Sequence, residues 1–273
     1  MYEIIEKQVL SEIVKLMKIK APLVAKKAKA GQFIILRIDE SGERIPLTIA
    51  DYDRDKELVT VIFMEIGKTT KQLGKMKVGE SLLNFVGPLG VPSEIKKYGT
   101  VVMIGGGVGI APLYPVIREL KKIGNYVISI LGARNEKLLM LEKEIREYSD
   151  ELFITTDDGS KGHKGFVSDV LQKLIDEGRK IDMVMTIGPV IMMKVVADVT
   201  RPYKIKTLVS LNPIMVDGTG MCGGCRVTVG NEVKFACVDG PEFDGHLVDF
   251  NNLNLRNRRF ICQEEKACKC SED

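Results

Sequence analysis

The chain has 273 residues, 45% of them hydrophobic, enough for one large globular domain or a few small ones with ordinary cores. Its 40 basic and 37 acidic residues are interleaved, and a net charge of +3 offers no clustered basic face for a nucleic-acid partner. No run approaches the roughly eighteen apolar residues of a membrane span, and the start MYEIIEKQVL lacks the basic-then-apolar layout of a secretion signal.

A cytoplasmic protein is therefore expected, with no membrane partner. Disulfides among its 6 cysteines are not expected there.

Residues 1–97 read as short strands. EIVKLMKI and ELVTVIF alternate at period two, and QFIILRI is an almost unbroken apolar run. Turn signals such as Ser41-Gly42 and Gly87-Pro88 separate them, so an antiparallel barrel is expected. The character changes over 98–206. The strands TVVMIGGG, YVISILGAR, LFITTDDGS and DMVMTIGP alternate with the helical patterns APLYPVIRELKKIG, KLLMLEKEIREY and VSDVLQKLIDEG. That alternation predicts a parallel sheet covered by helices on both faces. A Gly/Cys-rich segment follows over 207–250, and a polar tail over 251–273. The fold class expected is thus β plus α/β with a small C-terminal segment.

The loop IGGGVGIAPL lies between a strand and a helix. Its glycines let backbone N–H groups approach a phosphate at a helix N-terminus. Gly106, Gly107, Val108, Gly109, Ala111 and Pro112 do not spell a full G-x-G-x-x-G; the setting is that of a nucleotide loop, and equally of a tight turn packing a helix against a sheet. Asp157, Asp158 and Gly159 follow the third strand and Gly188-Pro189 the fourth, where open α/β sheets bind ligands. The two aspartates suit ribose hydroxyls or a nicotinamide amide. Asp-Asp-Gly is equally ordinary turn chemistry.

Cys222, Cys225 and Cys237 have the spacing C-x2-C-x11-C. A structural zinc would need a fourth ligand, and His246 is near in sequence. Glycines fill the C-x-x-C pair, which suits a loop whose N–H groups tune iron–sulfur sulfurs better than a redox helix. Asp217 stands at x4 before Cys222, where plant-type [2Fe–2S] spacing puts the first cysteine. Spacing thus favours an iron–sulfur site with Asp217 as oxygen ligand over zinc. Cys262, Cys268 and Cys270 in the charged tail read as exposed or partner-covered thiols.

The stretches RIPLTIADYD, GKTTKQL, VGPLG, GGGVGIAPL, TDDGSKGHKGFVSDVL, GPVIMM and SLNPIMVDGTGMCGGCRV together resemble the ferredoxin–NADP reductase superfamily. Within it the chain is similar to electron-transfer subunits of the dihydroorotate dehydrogenase type. It is most similar to the small subunits of NADH-dependent ferredoxin:NADP oxidoreductases, the flavin-bifurcating transhydrogenases. The likeness covers about residues 1–250. It implies an FAD-binding barrel, an NAD(H) domain (NADP(H) being the alternative), a [2Fe–2S] segment and a larger flavin/iron–sulfur partner subunit. It also implies site residues. Thr48 matches the hydroxyl residue beside flavin N5, following Pro46 and Leu47; Arg44 stands one position outside the family's arginine register. Gly67, Thr69 and Thr70 match the flavin pyrophosphate loop, with Thr69 in place of a glycine, and Gly87 lies in VGPLG. Gly188, Pro189 and Met192 match the segment beside the nicotinamide. Arg134 follows the second strand, where it would meet a 2′-phosphate or the adenosine. The implied function is hydride exchange between NADH and FAD and single-electron transfer through the cluster to the partner.

Overall fold

A computed structural model describes residues 2–269. Its first part is built from β1 (Tyr2–Val9), β2 (Val14–Lys20), α1 (Pro22–Lys27), β3 (Phe33–Arg37), β4 (Ile45–Asp53), β5 (Leu58–Met64), α2 (Lys68–Lys75), β6 (Ser81–Leu82) and β7 (Asn84–Leu89). The strands form one antiparallel sheet in the order β6-β1-β2-β5-β4-β3-β7. The two end strands are consecutive pieces of one segment: residues 81–82 pair with β1 and residues 84–89 with β3. The sheet therefore closes on itself as the expected barrel. Ile4, Met17, Ile19, Ile34, Leu36, Phe63 and Phe85 fill its interior. The unbroken apolar run of β3 has a simple cause. Ile34 and Leu36 face into the barrel, while Phe33 and Ile35 face outward into a second core.

The second part runs β8 (Thr100–Gly106), α3 (Ile110–Lys122), β9 (Tyr126–Ala133), α4 (Glu142–Glu147), β10 (Glu151–Thr156), β11 (His163–Lys164), α5 (Val167–Asp176), β12 (Met183–Ile187), α6 (Val190–Thr200) and β13 (Lys206–Ser210). These strands are parallel, in the order β11-β10-β9-β8-β12-β13. The chain moves outward from β8 through β9 and β10, then returns to the other side of β8 with β12. The switch point is therefore between β8 and β12, where such sheets take ligands.

Two expectations need correction. The helical pattern over 137–148 yields only the short α4, because Leu141 adopts a left-handed backbone (φ 55) at its start and Met140 turns into the core. The sheet also runs past the expected boundary at 206, through β13. It then gains an antiparallel edge strand, β16 (Glu242–Asp244), from the C-terminal segment. That segment also carries the hairpin β14 (Arg226–Val229) and β15 (Glu232–Phe235), the short α7 (Ala236–Asp239), α8 (Phe250–Asn257) and α9 (Ile261–Lys269). The polar tail is thus helical at its start, because Phe250 and Leu253 are apolar anchors that bury against the C-terminal core. Among the described residues no helix is long and apolar enough to cross a membrane.

Two seams join the parts. On one, α3 lies across the barrel and shares a core with Val14, Leu16, Ala50 and Ile62. There Arg118 pairs with Asp51 at 2.6 Å, between the rings of Tyr52 and Tyr114. On the other, the Val91 N–H donates to Gly240 O at 2.7 Å and the Ser93 hydroxyl donates to the Glu242 carboxylate.

Burial pushes the Glu242 carboxyl up to about 7, with the Ser93 hydrogen bond opposing. An unfolded glutamate ionises near 4.5. Between those values the folded chain holds a proton that the unfolded chain has lost. This group's contribution to stability is therefore complete below about 4.5 and drains away as pH rises to about 7. Glu242→Gln should flatten that slope and stabilise the chain at about pH 8 by on the order of 2 kcal/mol. Thermal melts from about pH 5 to about pH 8 test this; an unchanged slope would show that the carboxyl is not the cause.

Candidate functional site

The barrel residues singled out in the sequence lie together around one end of β4. Pro46, Leu47 and Thr48 pair with Ile35, Ile34 and Phe33 of β3. On the other side of β3, Phe33 pairs with Leu89 of β7, and Gly87 sits against Ile34. Arg44 is exposed in the turn before β4. The α2 start is tied to that turn, because the Thr69 hydroxyl donates to Glu43 at 2.5 Å. Thr70 also bonds locally. Its hydroxyl oxygen accepts from the N–H groups of Ile66 and Gly67 at 3.1 and 3.0 Å, so it caps α2. What the α2 start can still offer a phosphate is the first-turn backbone N–H groups.

The nucleotide-loop residues gather at the switch point. Gly106 ends β8, Gly107 to Gly109 form a single 3-10 turn, and Ala111 and Pro112 lie in the first turn of α3. A side chain at Gly109 would run into Ile187 O of β12, so glycine alone lets the two strands' ends approach. Gly188 and Met192 close over the same loop: the Cβ position of Gly188 is 3.1 Å from Gly106 O and 2.6 Å from Met192 Cε. Pro189 precedes α6 directly. Arg134 and the Asp157-Asp158-Gly159 turn follow β9 and β10, which run side by side to Ala133 and Thr156. The Asp157 N–H donates to Ala133 O at 3.1 Å and the Asp158 N–H to Arg134 O at 3.3 Å. The Ser160 hydroxyl, then the Ser160 N–H at 2.9 Å, hold the Asp158 carboxylate below its ordinary range. Asp158 is thus engaged in its own turn, beside Asp157 and Arg134 at the ends of the two strands.

The four proposed metal ligands form two pairs. Cys225 and Cys237 are buried, with sulfurs 3.2 Å apart. Two thiolates on one tetrahedral metal, at about 2.3 Å each, stand roughly 3.8 Å apart. The Cys222 thiol, with the Thr219 hydroxyl and the Met221 N–H, holds the Asp217 carboxyl far below the usual carboxylate range. The Thr219 and Met221 contacts are 2.6 and 3.1 Å, all on Oδ2. Asp217 Oδ1 is buried and has no hydrogen-bond partner. A buried carboxylate oxygen left unpaired is costly, and a metal cation would satisfy it. Burial, then the neighbouring Cys225, pushes the Cys237 thiol up to about 12, so it stays protonated at neutral pH unless a metal displaces the proton.

Among the described residues no three His, Cys, Asp or Glu side chains converge as a single ion would require. His246, the alternative fourth zinc ligand, is elsewhere, its Nε2 2.9 Å from the Thr200 hydroxyl. Two pairs, one of them with an orphaned oxygen, suit the two irons of a [2Fe–2S] cluster. The cysteines are free, and Cys262 is exposed; the side chain of Cys268 and all of Cys270 lie outside the described residues.

The cluster loop sits on the barrel. Gly218 has φ +74, and a side chain there would meet Ile35 and Leu89 at 2.8 and 2.9 Å. Ile35 lies on β3, which pairs with the strand that carries Thr48, and Leu89 lies on β7 at the other side of β3, so the loop and the proposed flavin face share β3. Sequence reasoning missed Phe33 and Ile35 as the joining residues, along with Ser93, Glu242, Arg256 and Arg259. The two-faced apolar run of β3 was the only signal available.

Residues 103–198 match the oxidoreductase NAD-binding domain family, and residues 212–249 the iron–sulfur cluster binding domain of dihydroorotate dehydrogenase B. A ferredoxin NADP+ reductase from Neisseria gonorrhoeae, solved with FAD and NADP, shares the fold at a TM-score of 0.64 and 18% identity, over 74% of this chain and 90% of that one. Barrel, nucleotide sheet and cysteine segment thus define an oxidoreductase of the ferredoxin reductase fold with an added iron–sulfur domain. A dihydroorotate dehydrogenase B (NAD(+)) electron transfer subunit homolog from Thermotoga maritima is 49% identical over 96% of this chain and 93% of its own length. The chain belongs to the family of dihydroorotate dehydrogenase B-type electron transfer subunits. It is also similar, over 100% of its length and 98% of the other chain, to a structure of the NADH-dependent reduced ferredoxin-NADP oxidoreductase solved in work on flavin-based electron bifurcation, with 46% identity and a TM-score of 0.95.

Gly218→Ala should force the loop off β3, at a cost of about 1–3 kcal/mol for the left-handed backbone alone. Iron bound per chain should fall, while the Asp51–Arg118 seam and NADH binding persist. Iron analysis and NADH titration check this; full iron content would contradict the close approach.

Proposed function

We propose that the chain exchanges hydride between NADH and FAD and passes electrons singly, through a [2Fe–2S] cluster, to a larger flavin/iron–sulfur partner subunit of an NADH-dependent ferredoxin:NADP oxidoreductase. Bound FAD would supply the switch between two-electron and one-electron chemistry, and the cluster the one-electron carrier. The observation that carries the proposal is the seating of Cys225 and Cys237, and of the Asp217 loop through Gly218, against β3 and β7.

This chain's own residues bind and orient. Thr48, paired with the outward-facing Phe33, would hydrogen-bond the flavin ring near N5 through its hydroxyl. The Arg44 turn, Gly67, Thr69, the Thr70 cap and Gly87 shape the rest of the flavin face. Gly106 to Pro112, with Gly188, Pro189 and Met192, would hold the dinucleotide at the switch point. Arg134, Asp157, Asp158 and Gly159 frame its outer end. The α3 seam holds the two faces at a fixed separation, which hydride transfer requires. No side chain need act as acid or base. Asp217, Cys222, Cys225 and Cys237 would ligate the irons; an oxygen ligand in place of a thiolate alters the potential. Free thiols fit a reducing, cytoplasmic setting.

A native preparation should contain about one FAD and about two irons per chain, reduce an artificial acceptor with NADH, and pull down the larger subunit. A dihydroorotate-oxidising partner would instead favour the second member of the family, the electron transfer subunit of dihydroorotate dehydrogenase. A preparation free of flavin would refute both. Asp217→Cys should keep the cluster but change its absorption and lower its potential; unchanged spectrum and potential would remove Asp217 from the ligand set.

A further inference from the structure

The densest positive charge near the four proposed ligands comes from beyond the matched iron–sulfur stretch, which ends at 249. Arg256 in α8 and Arg259 just after it both donate to one carbonyl, Gly224 O, at 3.3 and 3.2 Å. Gly224 immediately precedes Cys225, and Arg226 immediately follows it. Burial, then Arg259 and Arg226, depress the Arg256 pKa. Arg256 Nε is buried with no hydrogen-bond partner. Two guanidinium groups converging on one neutral carbonyl are mutually repulsive, and one of them has lost water. Negative charge in the loop would offset that cost. Each of Asp217, Cys222, Cys225 and Cys237 brings one negative charge when it ligates iron.

We infer that Arg256 and Arg259 are positioning residues of the iron–sulfur site, which hold the Gly224 carbonyl and place positive charge beside Cys225 so that the reduced cluster is favoured. The inference rests on the iron–sulfur assignment above. It acts by two routes. Reduction adds one electron, hence one negative charge, and a nearby fixed cation stabilises the more negative state. The second route runs through the peptide. The cis bonds among the described residues are Gly87-Pro88 and Gly240-Pro241, so the Gly224–Cys225 peptide is trans. Its N–H therefore points away from the arginines. Charge-assisted bonds to the carbonyl polarise that peptide and strengthen its N–H as a donor. Hydrogen bonds to the sulfurs raise cluster potentials.

The test is a potentiometric titration of the reduced cluster, followed by electron paramagnetic resonance, on the full chain purified with its flavin and iron. Arg256→Gln should retain iron, and its reduced-to-oxidised ratio at fixed potential should fall on the order of tenfold, about 59 mV for a one-electron couple. Arg259→Gln, at an exposed position, should shift the same way by less. Arg256→Lys, which keeps the charge, should recover part of the loss. Iron-loaded glutamine variants that titrate at the parent potential would overturn the inference. If Arg256→Gln loses its iron, Arg259→Gln decides by the same criterion. A parent chain that carries no iron would instead defeat the iron–sulfur assignment, an outcome distinct from a loaded cluster of unchanged potential.

Discussion

Strand β3 is buried on both faces, and the rest of the structure hangs on that fact. Its inward residues complete the barrel, while Phe33 and Ile35 enter a core that also holds Met193 of α6, Val209 of β13, Cys225 and Cys237. Each large side chain buried this way stabilises by about 1.5–3 kcal/mol, before the entropy of ordering the chain is counted. One short strand thereby fixes the barrel, the nucleotide sheet and the cysteine loop relative to each other. Cys225 and Cys237 are part of the hydrophobic core, so the loop's position does not rely on metal alone.

The second seam is electrostatic as well as apolar. Arg118 is mostly buried, paired with Asp51 and lodged between Tyr52 and Tyr114. Such an arrangement gives direction to a contact that apolar packing would leave loosely specified. The barrel thus meets the nucleotide sheet twice, at α3 and at β16, and the switch point is held from both sides.

Local features of the site were legible in the sequence, and distant ones were not. The glycine loop and the Asp217–Cys222–Cys225 spacing are written within a dozen or so residues, and backbone chemistry makes them readable. The alternation of strands and helices gave the sheet for the same reason. Membership of β13 and β16 in that sheet depends on partners far along the chain. So do the Ser93–Glu242 bond and the grip of Arg256 and Arg259 on Gly224. In the sequence LRNRR is one stretch of a polar tail, and only the folding of α8 beside the cysteine loop gives it a target. At Thr70 the motif match said nothing of the local bonds by which its hydroxyl caps α2.

The antiparallel pairing of β16 with β13 has an architectural consequence. The residues that carry the cysteines also supply the last strand of the nucleotide sheet. A chain ending after Ser210 would leave β13 as a bare edge, with Val209 uncovered and a row of unpaired backbone groups open to another molecule. The iron–sulfur segment is therefore no detachable module. It is the selvedge of the dinucleotide fold, and recombination could not exchange it without unravelling the neighbour it borders.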